Sequence, residues 1–303
     1  MIRYDVSCEQ ANLRYIQFKA TIPVTEAELV LELASWRPGR YELGNFAKNI
    51  KGLRAFNDKN ERLALRKTRK DTWKVDCEAS AFVRVEYSYY ASELNSGSSY
   101  LDEQQLYINP VNCFLYPQAQ ENLGFEIQLH LPAHWEIASG LHFQANKTVV
   151  ANFDQLADSP FICSGQIQRK SYEVNGTTFH ICFNNQKQIP WEKVLEDFKR
   201  FTQQQIADFG EFPVPEFTFL IQSVPYAAYH GVEHLNSTVI ALGPSSEVFT
   251  TLYTELLGVS SHELYHVWNV KSIRPTEMYP YNFKEENYSE AGFIYEGITT
   301  YMG

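Results

Sequence analysis

Residues 262–266 read His-Glu-Leu-Tyr-His, and this HExxH pattern constrains the chain more than any other feature. With about 3.6 residues per helical turn, positions i and i+4 share a face, so on a helix both imidazoles point at one spot. Glu263 lies beside them, placed to draw a proton from water held there. The donor set suits zinc, which takes imidazole nitrogen and carboxylate oxygen and, in catalytic sites, leaves one position open. Zinc also lowers the pKa of its water to about 7, so hydroxide becomes available at neutral pH. The pattern predicts a zinc hydrolase.

The flanking residues predict the helix that this reading needs. Gly243-Pro244-Ser245-Ser246-Glu247 offers a turn, a serine cap and an acid in the first turn. Val248, Leu252, Leu256, Val259 and Leu264 then recur at helical spacing, and Phe249, Tyr253 and Leu257 widen the stripe. Gly258 leaves open whether the run is one helix or two. Pro275 disfavours helix at Arg274, so the helix is expected to fade after Trp268 or Asn269. Two histidines near the end of a buried helix cost free energy unless each finds a partner. A third ligand must come from elsewhere. Residues 289–301 read as a second amphipathic helix, and its Glu296 follows His266 across a loop rich in proline and tyrosine. On the residues alone, Glu255 and Glu290 are rivals for the same place.

The segment from His262 to Pro275, His-Glu-Leu-Tyr-His-Val-Trp-Asn-Val-Lys-Ser-Ile-Arg-Pro, resembles the signature of the glycyl aminopeptidase family of zinc metallopeptidases. That family belongs to the gluzincins, in which a glutamate on the following helix completes the zinc shell. Tyr295-Glu-Gly-Ile-Thr-Thr-Tyr301 resembles the family's second motif, with Glu296 on the ligand position. His230-Gly-Val-Glu-His-Leu-Asn-Ser237 resembles its Gly-x-Glu-His-x-Asn-Ser strand. Trp36-Arg-Pro-Gly-Arg-Tyr41 and Asp158-Ser-Pro160 resemble landmarks of its amino-terminal β domain. The resemblance implies zinc held by His262, His266 and Glu296, with Glu263 as general base. It also implies an edge strand lining the cleft, whose Gly231 and Glu233 bind substrate. Glu233 would hold the free α-ammonium through a charge-assisted bond in a partly dry cleft and so fix where the scissile carbonyl sits. Such an enzyme is an aminopeptidase, here expected to prefer Gly or Ala at the amino terminus. His234 is expected to pack or hydrogen-bond. Family members are commonly about twice as long, with further catalytic helices and usually a PDZ domain. The end at Gly303 therefore predicts a chain lacking the C-terminal half and, with it, the group that stabilises the oxyanion.

The rest of the sequence predicts an α+β chain in two parts. Residues 1–165 hold short alternating runs, such as Arg14–Ile22, Leu29–Leu33, Trp73–Asp76, Phe82–Tyr89 and Gly124–Leu131, which predict an antiparallel β-sandwich domain. His130, His134 and His142 straddle a proline turn without ligand spacing and are read as structural. From 166 to 303 come strands to about residue 184, a helix from Trp191 to Phe209, and strands over Phe217–Gln222 and Ser237–Leu242. That order predicts the first part of a thermolysin-like catalytic domain. A net charge of -10 argues against nucleic acid or an anionic membrane as partners. No apolar run is long enough to span a bilayer. The Met1-Ile-Arg-Tyr-Asp5 start lacks a signal-peptide stretch, and Cys8, Cys77, Cys113, Cys163 and Cys182 show no Cys-x-x-Cys spacing, which together predict a cytoplasmic protein. The expected partner is a peptide with a free amino terminus. A zinc endopeptidase is the weaker enzyme reading, and a scaffold that binds zinc or peptide without turnover is the alternative outside the enzymes. Oligomeric state is not legible.

Overall fold

The N-terminal runs pair into three sheets in the computed structural model, which describes residues 1–303 apart from Tyr41, Glu78, Ala79, Ala119 and Glu121. The largest sheet has six strands in the order Lys147–Val150, Phe125–His130, Ile2–Gln10, Tyr15–Pro23, Phe82–Tyr90, Ile50–Phe56. A four-stranded sheet, ordered Tyr116–Pro117, Glu28–Glu32, Thr72–Asp76, Leu65–Arg69, shares one core with it. Side chains alternate across a strand, so Tyr15–Pro23 buries Ile16, Phe18, Ala20 and Ile22 on one face. Phe18 and Tyr4 close on Phe114, with ring centroids 5.1 and 4.8 Å away. One feature corrects the antiparallel expectation. Ile2–Gln10 pairs in parallel with Phe125–His130, a contact between segments too distant in sequence for any local pattern to signal.

The third sheet, ordered Glu136–Ser139, Phe161–Ser164, Gln105–Ile108, Tyr100–Leu101, is the layer between the two halves. Leu106, Ile108, Phe161 and Cys163 face the N-terminal core. Tyr107 and Ile162 face the other way and meet Cys182, Leu220 and Val239 of the second half. A sheet covered on both faces has no place for polar alternation, and Phe161–Ser164 is buried throughout.

The second half is built on five strands in the order Gln168–Val174, Thr177–Asn184, Glu216–Ser223, Ser237–Gly243, Ala228–Glu233. The middle three run parallel, and Ala228–Glu233 closes one edge antiparallel to Ser237–Gly243. Phe219, Ile221, Ile240 and Leu242 meet Val194 and Phe198 of the helix Trp191–Phe209, and Leu256 and Val259 of the motif helix Tyr253–Tyr265. No helix among the described residues is long and apolar enough to cross a membrane.

The motif helix starts later than its sequence suggests. Residues 245–252 form successive turns in which the N–H groups of Thr250 and Leu252 both bond the Glu247 carbonyl. The Thr250 hydroxyl bonds that carbonyl too, and the Thr251 hydroxyl bonds the Glu247 carboxylate at 2.7 Å. Hydroxyls that bind nearby backbone in this way compete with the helical ladder. Gly258 does not divide the helix, and the regular turns end at Tyr265, with His266 as the cap. The single helix expected over 289–301 is two short ones, Gly292–Tyr295 and Gly297–Met302, joined at Glu296. A glycine opens each, and glycine favours helix poorly.

Phe198 is fully buried, 5.0 Å from Phe219 centroid to centroid. Phe198→Ala should lower stability by about 3–5 kcal/mol in urea unfolding. A loss under 1 kcal/mol would mean that this core does not hold the sheet to its helix.

Candidate active site

The helical period carries His262 and His266 to one face, where their Nε2 atoms lie 3.0 Å apart. Glu296 arrives from the join of the two short helices, its Oε2 3.7 Å from His266 Nε2 and 3.9 Å from His262 Nε2. All three donor atoms fall within 4.8 Å of one another. A tetrahedral zinc shell with bonds near 2.0–2.1 Å separates its donors by roughly 3.3–3.4 Å, so these distances bracket what the ion requires. Among the described residues this is the one such grouping of His, Cys, Asp and Glu, and Glu255 and Glu290 lie outside it.

Asn269, which the sequence reading did not single out, organises the cluster. Its carbonyl lies 3.1 Å from His266 Nδ1, so Nδ1 carries the proton and the Nε2 lone pair is turned to the cluster. Its side-chain amide donates to the Ile294 carbonyl at 3.2 Å and to Thr299 Oγ1 at 3.1 Å. One residue thus sets the tautomer of one donor and the position of the join that carries another. The signal available in sequence was only its place three residues past the motif.

Glu263 is 5% exposed, and its Oε2 has no hydrogen-bond partner. Burial drives its pKa well above the ordinary carboxylate range, the neighbouring Glu233 and Glu296 carboxylates add to this, and Arg37 opposes it. The edge strand runs directly against it. A Cβ at Gly231 would stand 2.0 Å from Glu263 Oε1, so any side chain there would displace the carboxylate. Tyr229, Gly231 and Glu233 share the strand face that also presents Leu242, Ile240 and Thr238 of the neighbouring strand. His262 is pushed down to about 4, by burial first and by His266 second.

The N-terminal half holds this strand in place. The Ser96 hydroxyl accepts from the Ala241 N–H at 2.9 Å and donates to the His230 carbonyl, bridging the edge strand to its neighbour. Asp158 accepts from Lys271 Nζ at 2.7 Å, from the Leu235 N–H at 2.9 Å and from His234 Nδ1 at 3.1 Å. His234 is therefore a hydrogen-bonding residue, as its neighbours suggest. Burial alone would raise the Asp158 pKa, but Lys271 and then His234 hold it well below the usual range. Lys271 follows the motif helix, and its own N–H bonds the His266 carbonyl at 3.0 Å. His130 and His142 lie outside the cluster, beside Asp5 and Glu216. Of the stretch Trp36–Tyr41, Tyr41 lies outside the described residues.

Comparison with known proteins matches residues 3–165 to the Peptidase M61 N-terminal domain and residues 255–303 to the M61 glycyl aminopeptidase model. The chain belongs to the M61 glycyl aminopeptidase family. Among solved structures it is similar to an aminopeptidase N family protein from Idiomarina loihiensis, at TM-score 0.92 and 28% identity. That match covers 99% of this M61 chain and 53% of the other, so the chain spans about half the length of that relative. An M1 zinc metallopeptidase from Deinococcus radiodurans is far less similar, at 12% identity and TM-score 0.49 over 89% of this chain and 63% of that one. A search of curated proteins returns no match.

The Asp158 contacts give a pH-dependent test. Its folded pKa lies below the unfolded value of about 3.9, so its stabilisation is present above that pH and is lost as pH falls through the folded value. Asp158→Asn leaves Lys271 buried without its counter-charge and should cost about 3–5 kcal/mol at pH 7. The parent should lose that advantage as pH drops below about 4, narrowing the gap between the two proteins. Urea unfolding at pH 7 and pH 3 measures both effects, and a constant gap would contradict the assignment.

Proposed function

We propose that this chain carries the metal- and substrate-binding parts of a zinc aminopeptidase. In this reading a β domain over residues 1–165 packs on a thermolysin-like peptidase fold over residues 166–303. The observation that carries the proposal is the convergence of His262, His266 and Glu296 beside a buried glutamate that the facing strand accommodates with a glycine. Family membership supports the same reaction class.

Zinc bound by those three residues would supply Lewis acidity, polarising the scissile carbonyl and lowering the pKa of water. The chain's own residues do the rest. Glu263 takes the proton from the attacking water on its carboxylate and passes it to the nitrogen of the departing amine. The edge strand Ala228–Glu233 offers unpaired backbone groups to an extended peptide, which adds to the sheet as a further strand. Glu233 holds the peptide's α-ammonium, and the bare Gly231 lets the strand close on the Glu263 carboxylate. The substrate is a peptide with a free amino terminus and a small first residue, Gly or Ala. A net charge of -10 suits that partner better than nucleic acid or an anionic membrane, and the cysteine pattern suits a cytoplasmic site.

A second reading, binding of metal and peptide without turnover, draws on the two short helices around Glu296. Their Phe293 and Tyr301 stand 75% and 89% exposed, so the element carrying one ligand is little covered on that side. Kinetics separate the readings. Glu263→Gln should keep its metal yet lose at least 10²-fold in turnover, because an amide cannot accept the proton. Turnover within threefold of the parent would exclude Glu263 as the base. Glu233→Ala should lower kcat/KM for a glycyl or alanyl amide by about 10-fold or more and leave the N-acetylated form unchanged. Equal losses on both substrates would make Glu233 structural, and preferred cleavage of the blocked form would indicate an endopeptidase.

A further inference from the structure

The turn at Arg37–Arg40 belongs to the N-terminal half, yet it sits on Glu233. Gly39 has φ +70°, and a Cβ there would stand 2.7 Å from Glu233 Oε2 and 3.1 Å from Oε1. The turn is firmly held. Trp36 Nε1 donates across it to the Arg40 carbonyl at 2.6 Å, and the N–H groups of Ser35 and Trp36 both donate to the Phe283 carbonyl. The buried Trp36 ring lies 5.5 Å from Tyr281, centroid to centroid. Arg37 is 4% exposed, donates to the Pro38 carbonyl at 3.0 Å, and fits only because Gly97 has no side chain, since a Cβ there would stand 2.1 Å from Nη2.

The spacing along the edge strand gives this contact a meaning. Gly231 faces Glu263, where the scissile carbonyl is expected, and Glu233 lies two positions further on. Two strand residues span about 7 Å. That distance holds one amino-acid residue and a hydrogen bond from its ammonium to Glu233, and a second residue would run into the turn. We infer that the turn Arg37–Arg40 is the stop at the amino-terminal end of the cleft, admitting one unblocked residue before the scissile bond and excluding acylated or extended peptides. The inference rests on Glu233 as the ammonium receptor, and the test keeps the two apart.

The probes are glycinamide and N-acetylglycinamide, titrated into the full zinc-supplied chain and followed by NMR chemical shifts, so that no turnover is needed. The parent should bind glycinamide at least tenfold more tightly. Gly39→Ala, which both strains the backbone and crowds the Glu233 carboxylate, should weaken glycinamide at least tenfold. Trp36→Phe keeps the aromatic packing but removes the N–H that ties the turn, and it should tighten N-acetylglycinamide at least threefold. If Glu233→Gln removes the parent's preference while both turn variants keep parental affinities, Glu233 stands and the stop is overturned. If Glu233→Gln keeps the preference, the ammonium assignment falls and the stop, which rests on it, falls with it. A parent that binds both probes equally overturns the stop.

Discussion

The closeness of the edge strand to the motif helix is the constraint on which the site depends. A buried carboxyl between two other carboxylates is costly, and Glu263 occupies such a place, with one oxygen lacking any partner. The strand can approach it because Gly231 presents no Cβ, and an alanine there would have to move either the strand or the carboxyl. Close approach keeps the carboxyl dry and sets the edge strand of the sheet against the motif helix. A side chain at 231 would separate the features whose juxtaposition defines the cleft.

That approach is held by contacts between the halves. Ser96 enters the ladder of the edge strand, Asp158 gathers the strand's end and Lys271, and Lys271 bonds back to His266. Asn269 does the corresponding work on the other side, joining His266 to the segment that carries Glu296. The N-terminal half is therefore part of the site's geometry. An Asp–Lys pair buried in this way is weak evidence for stability in itself, since desolvation offsets much of its attraction. Its value lies in fixing where three separate segments meet.

What the sequence disclosed follows the range of the interactions involved. The helical period alone aligned His262 with His266, and the helix expected over Trp191–Phe209 has those ends in the structure. Alternation marked Phe82–Tyr90 to within a residue, and the strand expected over Phe217–Gln222 extends one residue further at each end. Glu296 was separable from Glu255 and Glu290 only by resemblance, because nothing local says which acid returns to the histidines. The late start of the motif helix was hidden in a side-chain competition around Glu247, and the break at Glu296 in two weak glycines. Asp158 and Lys271 lie 113 residues apart, and Gly39 reaches Glu233 from the other half. No periodicity encodes such pairs, so the residues that brace the site were the least visible.

Metal content tests the central claim most directly. Elemental analysis of the purified chain after dialysis against a zinc-containing buffer and removal of free ion should give about one zinc per molecule. His262→Ala and His266→Ala should each fall close to zero while retaining the parental circular dichroism spectrum. Zinc in either variant equal to that of the parent would contradict the site, because the ion would then be held somewhere other than between these two histidines and Glu296.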